Sequence, residues 1–472
     1  MQIKHLLTFA LLVYASHSLG ASVVPIGLLE VYQSVADNNS QLAAAREDFY
    51  AKQEAVPQAL AFLLPAITSS ASIDKKKLDR SSPSLERTRS TTTYQATLRQ
   101  PLFHAEFWYG LKSAEIAASQ AALDFSNKEQ LLMLKTIESY FEVLRASDIL
   151  AASNSEVRAF KNQLSQANAK LKGGVFSITD VYDAQTALDN SIEAQIQAET
   201  KLEDTYEVLR QLSGRPFGKL AGLSHSLPIV APIPDDSAEW VERARSHNIE
   251  LQSAQLAISI AEKNLSSRRS EHLPSVDAVA GYRLGDNDSF GYSNPSDFGR
   301  SDYRGHVAET TISVELNIPL YSGGRTSSKV REGVRRLSES VYLKDEKQRQ
   351  VALNARNYYR AVMADLDLVS SKSQTVKSSQ QSLKASVISS KVGTRNFLDV
   401  LNAERQLYGS VKSYNNARYD YVLDVVRLKQ AVGELSLTDI NEITAYLNPN
   451  YVPDRDFLPP GVAEHIGDLG VQ

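Results

Sequence analysis

The residues able to do chemistry are thinly spread along this chain. His104, His225, His247, His272, His306 and His465 stand apart, without the short spacings that gather metal ligands. Cysteine is absent, which excludes thiol catalysis, thiolate metal sites, disulfides and a lipid anchor on an N-terminal cysteine. The pairs Gly173-Gly174 and Gly323-Gly324 are not phosphate loops, because no lysine followed by serine or threonine comes at the required spacing. Asp180 follows Ser177 by three residues, and Asp399 follows Asn396 by three. That is the spacing of a helix capping pair, and an acid in a helix's first turn favours the local dipole. The net charge of −4 comes with no basic stripe, so nucleic acid is not an expected partner. No catalytic constellation and no cofactor site emerge. What the sequence does define is an overall shape.

That shape is written twice. Phe62-Leu63-Leu64-Pro65-Ala66 matches Glu271-His272-Leu273-Pro274-Ser275, and 274 − 65 = 209. Pro101-Leu102-Phe103 matches Pro319-Leu320-Tyr321, and 319 − 101 = 218. Gly174, Asp180-Val181, Ala184, Leu188 and Gly214 match Gly393, Asp399-Val400, Ala403, Leu407 and Gly433, with 393 − 174 = 219. A slowly growing offset of this kind marks a duplicated unit, and a duplication fixes the architecture before any single element does.

Each unit alternates long helices with strand pairs. No proline falls between Pro101 and Pro216, or between Pro319 and Pro449. Each of these blocks is broken once by glycine, at Lys172-Gly173-Gly174 and Val392-Gly393-Thr394. Glycine just past a helix end is a stop signal, so each block predicts a long helix, a tight turn and a shorter helix running back. Leu134, Ile137, Phe141 and Leu144, then Phe160, Leu164, Ala167 and Leu171, step by three and four as in a coiled-coil seam. In the strands, Ile312, Val314, Leu316 and Ile318 alternate with Thr311, Ser313, Glu315 and Asn317. The expected bounds are a signal peptide over 1–21 and a first repeat over 22–214, with helices 26–64, 104–172 and 178–213 and strands 66–74 and 92–100. A linker over 215–236 follows. The second repeat, 237–447, holds helices 237–272, 323–391 and 397–433 and strands 275–284 and 307–318. A proline-rich tail over 448–472 is expected to be extended or disordered. Pro57 is expected to kink the short helix before the strands or to mark its weak point.

Export follows from Lys4 and His5 before an apolar run from Leu6 to Val13 and small residues through Ala21. Later in the chain nothing approaches the roughly 20 apolar residues of a membrane-spanning helix. Spanning would therefore fall to the strands. Four strands cannot close a barrel, and open edges are not tolerated in lipid, so a membrane reading requires several chains to share one barrel.

With these features together, the sequence resembles the TolC family of outer-membrane channel-tunnel proteins. The specific stretches are Gly27–Asn39, Gly174–Asp183, Ile318–Arg325 and Val392–Leu401, within a likeness spanning nearly the whole chain. The resemblance implies a mainly helical protein with duplicated long-helix hairpins forming an α-barrel. Four strands per chain would contribute to a 12-stranded β-barrel in a homotrimer, since 4 × 3 = 12. It implies a passive exit duct in the outer membrane of a Gram-negative bacterium, with its tunnel in the periplasm and a gate at the periplasmic end. Such a duct serves a tripartite efflux pump or a type I secretion system. Its partners would be a periplasmic adaptor (membrane fusion protein), an inner-membrane transporter of ABC, RND or MFS type, and outer-membrane lipid. A periplasmic coiled-coil adaptor and a general diffusion porin are the alternatives. The first carries a single hairpin with compact β domains, and the second is nearly all strand.

The resemblance also assigns residues. Gly173, Gly174, Val175, Val392, Gly393 and Thr394 would form the adaptor-docking tip, the first turn departing from the family's Val-Gly pattern. Asp399 would ring the closed entrance with one carboxylate per chain, which favours cations. The family's second acid is Asn402 here. Arg395 would latch the entrance with Thr179 and Asp180, while a family tyrosine that joins this latch is Ser390 in this chain. Phe103, Phe107, Trp108 and Tyr109 follow a strand and suit a membrane interface, where aromatics collect.

Overall fold

The structure is a computed structural model that describes residues 25–81, 84–286, 305–460 and 462. The signal-peptide expectation over 1–21 lies outside these residues, as does most of the loop expected over 285–305.

Glycine, asparagine and proline set the helix boundaries. The chain begins with α1 (Leu28–Asn38), α2 (Ser40–Gln53) and α3 (Ala55–Ala61), within the helical stretch 26–64 expected from sequence. The first break is at Asn39, whose Oδ1 accepts from Leu42 N at 2.9 Å and starts a new helix. The second break falls just before Pro57, which lies in the first turn of α3. Proline cannot donate to the carbonyl four residues back, so the helix ends at Gln53 and restarts rather than bending through.

The strands β1 (Ala66–Ser81) and β2 (Ser84–Phe103) come next, then α4 (Ala105–Lys172) and α5 (Ile178–Ser213). With 68 residues, α4 is about 100 Å long at 1.5 Å per residue. The linker adds β3 (Gly222–Leu223). The second unit repeats the plan with α6 (Ser237–His247), α7 (Ile249–Ser270), β4 (Ser275–Asp286), β5 (His306–Asn317), α8 (Arg325–Lys391) and α9 (Phe397–Val432). The chain closes with α10 (Leu437–Ala445), β6 (Leu447–Asn448) and α11 (Pro453–Asp456).

The duplication extends to individual hydrogen bonds. Asn248 interrupts α6 and α7 as Asn39 interrupts α1 and α2, at the same spacing of 248 − 39 = 209. Asn39 Nδ2 donates to Leu212 O and Asn248 Nδ2 to Ala431 O, both at 2.9 Å. Each asparagine thus caps one helix and ties it to the end of the returning helix of its own unit. This joint aligns a short upper helix with a short lower one, so that α4 has α5 beside its lower part and α2, α3 and α7 beside its upper part. The second unit does the same with α8, flanked by α9 below and by α6 and α7 above. At Gly433, which ends α9 with φ 82°, an added Cβ would lie 2.5 Å from the carbonyl oxygen of His247. Only glycine fits both the left-handed backbone and that approach.

The main core runs where the lower and upper helices meet, around Leu28, Ile137, Tyr140, Phe141, Leu209, Trp240, Val362 and Val426. The short strands β3 and β6 pair across it, and Ile26 bridges to Leu220. The described part of the tail, 448–460 and 462, packs onto the helices, where an extended or disordered segment was expected over 448–472. Phe457 is fully buried and Val462 nearly so. Tyr451 Oη donates to Asp148 Oδ1 at 2.5 Å, Asn415 Nδ2 to Phe457 O at 2.8 Å, and His225 Nε2 contacts Asp456 O at 2.9 Å.

Strands β1, β2, β4 and β5 form one antiparallel sheet in the order β1-β2-β4-β5. The first pair runs past the expected ends at 74 and 92 to Ser81 and Ser84. Sequence alternation is lost there because Lys75, Lys76 and Lys77 follow one another and so put lysine on both faces.

Candidate functional site: a two-faced sheet and two helical turns

The pairing register assigns every strand residue to a face, since directly opposed residues share one. Ile67, Leu98, Ala280 and Ile312 fall in one row. Tyr94 and Leu284 with Ala71 and Ala308, Tyr282 with Ala96, and Val276 with Leu316 fall on the same face. The other face carries Thr68, Ser70, Ser72, Gln95, Thr97, Arg99, Asp277, Arg283, Glu309, Thr311, Ser313 and Glu315. An aliphatic face opposite a charged one is what a barrel wall between lipid and water requires. On the polar face Arg99 pairs with Asp277 at 3.2 Å and Glu315 at 2.9 Å, joining three strands. His104, at the entry to α4, lies between Glu106 and Asp277 at 3.0 and 3.2 Å. No helix among the described residues is long and apolar enough to cross a membrane.

Three of the four aromatics expected at the interface, Phe103, Trp108 and Tyr109, are exposed where the sheet meets α4. Phe107 instead packs against His104 and Phe62, with ring centroids 4.6 and 5.4 Å away.

At the opposite end of the long helices, both hairpins turn in the same way. Gly174 and Gly393 take φ of 72° and 79°, the left-handed region that glycine enters without strain. Val175 N donates to Lys170 O, and Thr394 N to Ser389 O, each at 2.9 Å. Gly173, Gly174 and Val175 of the first turn and Val392, Gly393 and Thr394 of the second are all exposed.

The acids there are caps. Ser177 and Asp180 form a reciprocal capping box at the start of α5, and Asn396 and Asp399 form one at the start of α9. Asp399 N donates to Asn396 Oδ1 at 2.8 Å, and Asp399 Oδ2 accepts from Asn396 N at 3.3 Å. Asn402 accepts from Arg405 Nη1 at 3.2 Å, which sets a cation where the family resemblance leads one to look for a second acid. Arg395 donates to Ser386 Oγ at 3.0 Å, within its own hairpin. Among the described residues, no hydrogen bond or ion pair joins Arg395, Thr179, Asp180 and Ser390 to one another.

Above the turns, α9 lies against α4 through polar layers. Gln163 Nε2 donates to Glu404 Oε2 at 3.3 Å, and Lys412 pairs with Glu156 at 3.1 Å. Burial raises the Glu404 carboxyl to about 7, with Glu156 adding to the shift and the Gln163 bond opposing it. The adjoining groove of about 510 Å³ is lined by α4, α8, α9 and the tail, including Arg158, Glu404, Tyr408 and Arg455. Sequence reading passed over this layer, as it did the Asn39 and Asn248 joints. A polar residue recurring at one offset in both units was the signal for the joints.

Comparison with known proteins follows the same two-unit division. A family model described as outer membrane efflux protein matches residues 31–215 and again 240–434. The chain belongs to the outer membrane efflux protein family. Among relatives in this family, the outer membrane protein TolC of Vibrio cholerae serotype O1 is 32% identical over 430 residues, covering 91% of this chain and 96% of the relative. The alkaline protease secretion protein AprF of Pseudomonas aeruginosa is 25% identical, covering 91% and 89%. Among solved structures, CusC superposes with a TM-score of 0.75 at 16% identity, over 87% of this chain and 93% of that one. The Campylobacter jejuni CmeC outer membrane channel gives 0.75 at 13%, over 94% and 89%. The fold is therefore that of an outer-membrane efflux channel, with an α-barrel and a β-barrel portion. Its place is the Gram-negative outer membrane, with a tunnel in the periplasm. The family consists of channel proteins rather than enzymes.

Proposed function

We propose that three copies of this chain close their sheets into one 12-stranded barrel, continued by a helical tunnel, and that this assembly is the exit duct of a tripartite efflux or type I secretion system. The observation that carries the reading is the sheet: four strands, two chemically opposite faces and free edges at β1 and β5, mounted on helices about 100 Å long. Free edges in lipid leave backbone groups unpaired, and joining β5 of one copy to β1 of the next removes them. A periplasmic adaptor would dock at the exposed Gly174 and Gly393 turns, and an inner-membrane transporter would supply the energy. In detergent the native particle is expected to have three times the mass of one chain and to conduct ions in planar bilayers. A monomer that keeps channel activity would overturn the trimer.

In this assembly three copies of Asp399 stand near one axis at the periplasmic end. Asp399→Asn is expected to lower cation preference in asymmetric salt and to weaken block by multivalent cations, because three charges leave a narrow ring. Asn402→Asp should shift both in the other direction, by less, since Arg405 would pair with the new carboxylate. Unchanged selectivity in both variants would leave Asp399 with its capping role alone.

A further inference from the structure

We propose that Phe176 and Phe397 form an apolar latch between the two hairpin turns of one chain and set how readily the periplasmic end opens. The proposal rests on reading those turns as the entrance. Phe176 lies in the first turn, two residues beyond Gly174, and Phe397 opens α9 directly after the second turn. Their ring centroids are 5.1 Å apart with the planes tilted by 49°. Phe397 is buried. Around the pair lie Phe160, Ala167, Ala184 and Ala187 of the first hairpin and Leu401 of the second.

One cation lies over Phe176 and another over the neighbouring Phe160. Lys170 Nζ lies 4.6 Å from the centroid of Phe176, and the Arg405 guanidinium lies 5.9 Å from that of Phe160, distances at which a cation is attracted to a ring face. The polar groups nearby are committed elsewhere. Arg395 bonds to Ser386 within the second hairpin, and Asp180 bonds to Ser177 within the first. The turns of this chain therefore meet through carbon. Such a contact has two physical properties that an ion pair lacks. Salt does not screen it, and breaking it leaves no buried charge without a partner. The two turns can part and rejoin without stripping a buried charge of its partner.

The test uses the full-length assembly in planar bilayers. Phe176→Ala and Phe397→Ala should each raise the ratio of open to closed conductance by about fivefold, the scale of one aromatic pair. The double variant should add little to either single one, because both remove the same contact. The gain should be alike in low and high salt. Normal assembly, read as an unchanged particle on an unheated gel, separates this effect from misfolding. The reverse test exploits the absence of cysteine in the natural chain. Phe176→Cys combined with Phe397→Cys, bridged by a short bismaleimide, should hold the conductance low, while each single cysteine variant given the same reagent should not. Alanine variants that assemble and conduct as the natural chain does would overturn the latch, as would a bridged protein that opens freely. A natural protein that makes no channel would instead overturn the duct reading. A channel whose selectivity follows Asp399 but ignores both phenylalanines removes the latch alone.

Discussion

Ile312→Arg is expected to abolish assembly in the outer membrane, whereas Ser313→Arg, one residue further along the same strand, should leave it intact. Ile312 is central in β5, 82% exposed in the single chain, and shares its face with Ile67, Leu98 and Ala280. Arginine at the middle of a barrel's lipid face costs about 2–4 kcal/mol, and three copies would each bear it. Ser313 lies on the opposite face, level with Val279, where a charge meets water. Fractionation followed by unheated gel electrophoresis would measure the assembled form. Equal assembly of the two variants would mean that the faces have been assigned the wrong way or that the sheet does not meet lipid.

The second large effect is expected at Asp148. Its carboxylate lies in the core and accepts from Tyr419 Oη at 2.7 Å and Tyr451 Oη at 2.5 Å. Asp148→Ala would leave two buried hydroxyls without their acceptor, at roughly 1–3 kcal/mol each. Because Tyr451 belongs to the tail, the loss should appear as faster proteolysis after Arg455 as well as a lower denaturation midpoint. A tail as resistant as in the natural chain would refute the anchoring role.

The pH dependence at this position has a definite sign. Burial raises Asp148 from 3.8 to about 6, partly opposed by the two tyrosine bonds. A raised folded-state value adds stability that is fully present below 3.8 and lost as the pH rises through about 6. Nearby His225 is lowered to about 4, by burial first and the Arg418 charge second. Its contribution is fully present above 6.5 and is lost as the pH falls through about 4. Asp148→Asn removes only the first dependence. The stability of the natural chain relative to this variant should therefore increase as the pH falls from 6 to 4. Denaturation midpoints at pH 7 and pH 5 would show it, and a difference that shrinks toward pH 5 would contradict it.

What sequence could show was whatever a local rule requires. Gly174 and Gly393 had to stop helices, Ile312 and its neighbours had to alternate, and the repeat had to show as an offset. The tail could not be read this way. Phe457 is buried and Asp456 presents its carbonyl to His225 only because α4 and α9 happen to run beneath them, and no periodicity of the tail announces that. The far ends of β1 and β2 were hidden for a related reason: with polar residues on both faces, their pairing rests on the ladder itself. At the second turn, the spacing of Asp399 from Asn396 revealed a cap, which the structure contains. The approach of Phe176 to Phe397 joins residues of different units, so neither hairpin's sequence carried it alone.

The length of β1 and β2 has a consequence for how the cell is seen from outside. Their 16 and 20 residues span about 50–70 Å along the strand at roughly 3.3 Å per residue. Even when tilted, that exceeds the apolar band of about 25 Å. In the trimeric barrel proposed above, the surplus beyond Lys75, rich in lysine, arginine and serine, would stand above the lipid. An antibody or a bacteriophage approaching the cell would meet that surplus ahead of the channel mouth. Variation under immune or viral pressure should concentrate between positions 75 and 91, a stretch where sequence can drift without disturbing the lipid face, the tunnel or the turns.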